Sequence, residues 1–527
     1  MQYDVVDRTG GLGMLNIIVG FACSLLLLLS ILGAGVLYAL DSYSPRMDPK
    51  KTATAFMMGV WIIYGIMWYH FQIESSAFQF QEQYPWIPSL GAVYHVGIDG
   101  ISLIMIGMTF VINTALIWMT EDMPQSSTAK SLAVVMMMQI CALGLFMSMD
   151  AVLFYVFWES ALLPLFMAIG IWGSSRRIAA SFKLFLFTFT GSVLFLVALV
   201  YCGYIASSSV AQDGGLIFDM YAWRLLPLTG YEQMWLFWAF MVAFAVKVPL
   251  LPLHTWLPDA HPEAPTFGSV ILAALTLKFG AYAMIRFILP VVPDAARIYA
   301  PVVLALSVLA VIYVGLLAWV QTDAKKLIAY SSIAHMAVVI AGLFLLYQLP
   351  LSVGFEVSEL SIVGSVIQMF AHALSSAGLF YAFGLVYKRG HTRLLHKYSG
   401  LMQSMPIWSL CFFIFALNNI ALPGLSGFVG EAMVLLAAFQ ASVWLALGLS
   451  ISFVFAPMYT LSLAKQLIFG HVNTSQSVFK DISIPELQPM FLLAVVALAV
   501  GMYPSFLVDV MKPTASEVVK MALRSKL

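Results

Sequence analysis

Apolar runs of about 20 residues, the length that crosses a bilayer, recur along the whole chain. In lipid every backbone N–H and C=O must find its partner inside the protein, and only helices and closed barrels achieve that. Runs this long read as helices, so the sequence predicts an all-α polytopic membrane protein with about fourteen spans. They cover roughly 14–40, 52–71, 101–120, 131–149, 151–173, 183–206, 234–253, 267–289, 300–320, 328–349, 359–387, 406–440, 442–468 and 488–510. Only 9% of residues are charged, against about 25% in soluble domains, and no stretch reads as a separate soluble module. The first run is too long for a signal-peptide core and is read as a retained helix. Zero net charge leaves no basic face for nucleic acid. Cys23, Cys141, Cys202 and Cys411 lack the spacing of a zinc or iron–sulfur site and read as small buried hydrophobes.

Basic residues give the orientation. Loops and span ends after odd-numbered spans carry fifteen Lys and Arg, and the alternate set carries three, Arg224, Arg286 and Arg297. Positive loops stay inside, so both termini are expected outside, in the periplasm of a bacterial inner (plasma) membrane. Lys247 and Lys278 belong to neither set and are expected within the bilayer.

Three spans carry internal interruptions. Span 7 holds "FAVKVPLLPLHTW", with Pro249 and Pro252 beside Lys247; span 11 holds "HALSSAG" (372–378); span 12 holds "LPGLSGFVGE" (422–431), with Pro423 and Gly424. Pro249 has no N–H for Ala245 O, and Pro252 none for Val248 O, so freed carbonyls are expected around the ammonium. Breaks in spans 7 and 12, each near an ionisable residue, suggest two inverted five-helix repeats, spans 4–8 and 9–13. The expected division is an N-terminal three-helix segment (1–120), two repeats each forming a proton half-channel (131–289 and 300–470), and a last helix with a tail (488–527).

Glu159, Lys247, Lys278, His335, His372 and Glu431 fall well inside spans. A charge there costs about 2.5–3.5 kcal/mol on insertion scales, and function is the default explanation. Glu159 and Lys247 are natural partners. Lys278, with no acid in its span, suits a proton carrier. His335 and His372 fit either satisfied core histidines or a proton relay. His254, Asp259, His261 and Glu263 share the loop "HTWLPDAHPEAP". Their spacing fits no standard metal site, and His254, Asp259 and His261 read as a proton intake. Asp99 and Asp150 read as helix N-caps.

The stretches "FVFWESALLPLF", "FAVKVPLLPLHTWLPDAHPEAPTFGSVILAALTLKFGAYAMIRF", "TDAKKLIAYSSIAHM", "MFAHALSSAGLF" and "LPGLSGFVGE" resemble the antiporter-like subunits of respiratory complex I, from about Asp99 to Gly470. The resemblance implies a proton-translocating membrane-arm subunit of NADH:quinone oxidoreductase without a redox centre of its own. NADH, FMN, iron–sulfur clusters and quinone would belong to partner subunits, and the partners would include L-type and N-type antiporter-like chains. Glu159 and Lys247 match the family's charge pair, Lys278 its central lysine, His335 and His372 its bridging groups, and Glu431 its terminal residue. Related L- and N-type chains and multisubunit sodium/proton antiporters usually carry lysine at this last position, so glutamate there narrows the resemblance. The alternatives are a subunit of such an antiporter, of a membrane-bound hydrogenase-type complex, or of the related cyanobacterial and plastid complex.

Overall fold

The structure, a computed structural model, describes residues 18–43, 47–124, 127–210, 215–350, 354–471 and 479–527. The start of the first expected span, with Arg8 and Arg46, lies outside the described residues. The helices in chain order are α1 (Ala22–Tyr43), α2 (Pro49–His70), α3 (Gly100–Trp118), α4 (Thr128–Met147), α5 (Ala151–Ser160), α6 (Leu162–Trp172), α7 (Arg177–Val210), α8 (Gly230–Lys247) and α9 (Leu257–Glu263). There follow α10 (Thr266–Val291), α11 (Pro293–Trp319), α12 (Ala324–Leu345), α13 (Gly354–Gly390), α14 (Pro406–Asn419), α15 (Ser426–Ala441), α16 (Val443–Ile468), α17 (Ile484–Met502) and α18 (Ser505–Leu523).

Among the described residues twelve helical segments are long and apolar enough to cross a membrane. The two expected spans missing from that set are the proline-broken ones. Span 7 is α8, only 18 residues long and carrying Glu232 and Lys247. Span 12 is two short helices, α14 and α15.

Burial sorts the helices. The hydrophobic stretches of α10 and α13 are wholly buried, and α3, α4 and α12 nearly so, whereas α1, α2, α7, α16 and α17 leave most of theirs on the outside of the molecule. The two central helices, α10 and α13, carry Lys278 and His372. Aspartates start several helices: Asp99, Asp150 and Asp323 each accept backbone N–H groups at the first turn of α3, α5 and α12, as N-caps do.

Four features depart from the sequence reading. Span 11 is not broken, because α13 runs through 372–378 without interruption. That stretch has no proline, Ser375 and Ser376 donate back to His372 O and Ala373 O, and Gly378 gives room to the ring of Phe415. Span 5 is broken, α5 giving way to α6 at Ala161; Pro164 supplies no N–H to the carbonyl four residues back. Span 14 ends at Met502, and the tail folds as the separate helix α18. Between α2 and α3 an antiparallel hairpin pairs β1 (Gln79–Ile87) with β2 (Ala92–Ile98). Its turn ends on Gly91 at φ +72, where a side chain would be strained and would strike Leu216 O.

Candidate functional site

The first cluster lies where α5, α8 and α10 meet. α8 stops at Lys247, and a series of turns leads to α9. The carbonyls expected to be free do not serve the ammonium. Of the two, Ala245 O accepts from Leu250 N at 2.9 Å, while Val246 O, between them, accepts from the indole Nε1 of Trp256 at 2.9 Å. Lys247 Nζ instead donates to Trp158 O, 2.7 Å away in the other broken span. It also lies 3.9 Å from the centre of the Trp158 ring, a cation–π contact. Glu159 is the next residue along, yet both its carboxylate oxygens are buried without a hydrogen-bond partner. The two expected partners are therefore neighbours without a direct ion pair, the lysine resting on a neutral carbonyl. α10 reaches this cluster through Gly280, where a Cβ would lie 2.7 Å from Phe244 O.

The second cluster is a line of two hydrogen-bonded pairs, Lys278–His372 and His335–Glu431. Lys278 sits between two π-helical turns, Leu272–Thr276 and Met284–Ile288, irregularities frequent at functional sites. Its Nζ donates to Ala273 O at 2.7 Å and lies 2.8 Å from His372 Nδ1. The rings of His372 and His335 are 5.9 Å apart. His335 Nδ1 then lies 2.7 Å from Glu431 Oε1. Three of the four side chains, Lys278, His372 and Glu431, are almost completely enclosed, and His335 is 3% exposed. His372 Nε2 and Glu431 Oε2 have no hydrogen-bond partner, so each end of the histidine bridge keeps an open polar atom.

Span 12 is held at its break by Asn418. The Oδ1 atom of Asn418 accepts from Gly427 N at 2.9 Å and from Ser426 Oγ at 3.0 Å, capping α15 from the end of α14. Gly430 lets α15 approach Gln368 of α13, where a Cβ would lie 2.6 Å from Gln368 N. That approach sets Glu431 against Gln368, whose Nε2 donates to Glu431 Oε1 at 3.0 Å.

The expected intake residues do not form one group. Asp259 is half-exposed and pairs with Lys183 of α7 at 2.6 Å. His261 is fully enclosed and stacked on Phe380 at 4.6 Å; burial, reinforced by Lys325, holds its imidazole down at about 3. It is therefore neutral at every ordinary pH. His254 is buried, with Nδ1 unpartnered. Glu263 accepts from Arg176 N at 2.9 Å and lies 3.5 Å from Arg393 Nη1.

Several participants escape a search for buried charges. Trp158 acts through its carbonyl and ring, and Gln368 and Tyr459 touch the Glu431–His335 pair, Tyr459 OH lying 3.4 Å from His335 Nε2. Arg286 is the main miscount. Counted among the loops and span ends by the sequence, it is buried in α10 and makes a two-pronged ion pair with Asp99, 2.7 Å on each side. Asp99 is still the N-cap of α3, so it does both. The signal was available: Lys278, Tyr282 and Arg286 recur every four residues, one face of a helix. Tyr282 OH and Ser102 Oγ, 2.9 Å apart, complete that polar face.

Comparison with known proteins identifies the family. Residues 148–456 match the family described as NADH:quinone oxidoreductase/Mrp antiporter, TM. The chain is 36% identical over 517 residues to the NADH-quinone oxidoreductase subunit M of Rhodobacter capsulatus, covering 96% of both chains. It is 37% identical over 448 residues to NADH-ubiquinone oxidoreductase chain 4 of Chondrus crispus, covering 84% of this chain and 87% of that one. Among solved structures it superposes on a chain of respiratory complex I from Thermus thermophilus with bound NADH, with a TM-score of 0.83 and 26% identity over 96% of this chain and 99% of that one. A chain of the Mrp complex from Dietzia sp. DQ12-45-1b shares the fold, with a TM-score of 0.81 at 17% identity. With 36% identity across 96% of both chains to a subunit M, and a family match over residues 148–456, the chain belongs to the antiporter-like membrane subunits of NADH-quinone oxidoreductase, the subunit M or chain 4 family.

Proposed function

We propose that this chain moves protons across the membrane as part of an NADH:quinone oxidoreductase, through Glu159, Lys247, Lys278, His372, His335 and Glu431. The observation that carries the reading is the 2.8 Å contact of Lys278 with His372, continued by the 2.7 Å contact of His335 with Glu431. Groups that exchange protons need this reach, about 2.6–3.2 Å.

The chain's own residues suggest the cycle. A charge 4 Å from another is worth about 4 kcal/mol at an effective dielectric of 20, or roughly three pKa units. Bringing Glu159 to Lys247 holds the lysine protonated. Letting it return to Trp158 O leaves the ammonium with only a neutral acceptor and a ring face, and positive charge is pressed toward Lys278. Lys278 then passes a proton to His372 Nδ1, and the histidine pair hands it to Glu431. The first half-channel would be the repeat 131–289, with Glu159, Lys247 and Lys278, and the second the inverted repeat 300–470, with His335, His372 and Glu431, the Lys278–His372 contact joining them. Asp259, exposed beside Lys183, is the better intake candidate of its loop.

The redox groups, NADH, FMN, iron–sulfur clusters and quinone, are assigned to partner chains. The four cysteines support this by lying buried on four separate helices. L-type and N-type antiporter-like chains are the proposed membrane-arm neighbours. The proposed location is a bacterial inner membrane, and the basic bias of alternate loops supports both termini on its outer face. The test is Lys278→Met in the assembled complex. Proton translocation per electron should fall while the complex still assembles, and unchanged pumping would sink the relay.

A further inference from the structure

The first cluster has a roof that this route does not use. On the face away from the basic loops, a cavity of about 220 Å³ is lined by Gln83, Val93, His95, Asp150, Phe218 and Asp219, among others. Asp150 is 1% exposed and caps α5, the ten-residue helix that carries Trp158 and Glu159. One carboxylate oxygen accepts from Val152 N and Leu153 N at 2.9 and 3.0 Å, and the other accepts from Val93 N of the hairpin at 3.2 Å. Backbone bonds tie the same point together: Met149 N to His95 O, Ala151 N to Phe218 O, and Met220 N to Met149 O. The charged and titratable groups facing Asp150 across the cavity are Asp219 and His95, 3.5 Å apart. Asp219 is 36% exposed at its side chain and connects the cavity to the outside.

We propose that Asp150 is a proton-binding site of the outer face, and that its occupancy sets the position of α5 and with it the Glu159–Lys247 separation. Asp150 is a positioning residue, and the inference rests on the proton-relay reading above. Burial pushes its carboxyl up to about 6, against the pull of its backbone donors, and the like charge of Asp219 adds to the rise. Burial raises Asp219 too, but His95 and the N–H groups of Ala222 and Tyr221 outweigh it and hold that carboxyl below the ordinary range. Asp219 therefore stays ionised while Asp150 titrates. A proton on the oxygen facing Val93 sets donor against donor and breaks the tie to the hairpin. The neutral carboxyl also loses its attraction for the positive end of α5. α5 ends at the Ala161 break, so it can shift as a unit, carrying Trp158 O away from or toward Lys247. Acid outside then acts on the pair that starts the relay, a back-pressure contact.

The experiment uses the assembled complex in sealed vesicles with pH set separately on the two faces. NADH:quinone turnover should fall as the pH of the cavity face is lowered through about 6, the other face held constant. Asp150→Asn keeps an oxygen for α5 and turns an amide toward Val93, so it mimics the protonated state. It should remove the inflection and hold turnover at the acid plateau. Asp219→Asn removes the like charge and should move the inflection to lower pH, which keeps the test open should Asp150→Asn fail to assemble. An inflection untouched by these variants, or one that follows the opposite face, overturns the inference. Pumping by Lys278→Met in the same vesicles separates the two claims. Loss of pumping in that variant with a flat wild-type response to outer pH sinks only the Asp150 site, whereas retained pumping in it sinks the relay.

Discussion

Lys247 and Lys278 are both enclosed, and neither touches a carboxylate. Each gives a hydrogen bond to a carbonyl exposed by irregular helix, Trp158 O beside the α5–α6 break and Ala273 O in a π turn. A carbonyl accepts from an ammonium and is left only modestly short when the lysine becomes neutral, whereas a salt-bridged carboxylate would be left as an unpaired buried charge. The arrangement suits groups that give up protons. His261 is the contrast. Its folded pKa of about 3 lies below the unfolded value of 6.5, so the unfolded chain binds the extra proton. Stability is unaffected above pH 6.5 and declines as pH falls toward 3. His261→Phe, which keeps the stack on Phe380, should lessen that acid lability. Thermal unfolding of the assembled complex should show the variant gaining on wild type as pH drops from about 7.5 to about 5, the interval in which the unfolded histidine takes up its proton.

At the scale of elements, the breaks in spans 7 and 12 are built differently. In span 7 the backbone turns back on itself, and in span 12 one side chain, Asn418, bridges the gap. Losing a cap of this kind costs about 1 kcal/mol. Asn418→Ala should therefore cut proton pumping more than it lowers the melting temperature of the complex, because α15 and Glu431 shift while the core stays packed. Equal wild-type pumping in that variant would show that the cap does not position Glu431. The spans themselves were legible because apolar length is a local property, and the proline breaks because a missing N–H is local too. Pro164 lies inside "ESALLPLF", but one proline leaves an apolar run of that length intact as a hydropathy signal. The π turns around Lys278 leave no mark in residue type. Small residues misled in span 11, since glycine and serine are tolerated inside buried membrane helices when a neighbour such as Phe415 fills the space.

For the whole molecule, the cost of buried charge named the six ionisable residues but not their pairing. Lys278 and His372 are 94 residues apart, and Arg286 and Asp99 are 187 apart. The latter pair ties the end of α10 to the start of α3, and α18 closes over the same place. Thr514 Oγ1 accepts from Gly100 N at 3.1 Å, and Ser516 donates to Glu359 of α13. Breaking one member of a buried pair costs about 3–5 kcal/mol, while replacing both by apolar groups is often close to neutral. Asp99→Leu or Arg286→Met alone should sharply reduce the amount of assembled complex. The double variant should recover much of it, as blue-native gel quantification can read. If the double variant assembles worse than either single one, the pair is not a unit.

One further consequence follows from the 3.9 Å approach of Lys247 to the Trp158 ring. An ammonium over an indole face shifts the energy of its excited state, so the ring doubles as an optical gauge of the lysine's charge. The chain has 13 tryptophans, and a Trp158→Phe variant supplies the blank that isolates this one. During turnover the difference emission should move in step with the proton on Lys247, and Lys247→Met should silence it. The side chain that holds the charge in place would then also report, in light, when the charge leaves.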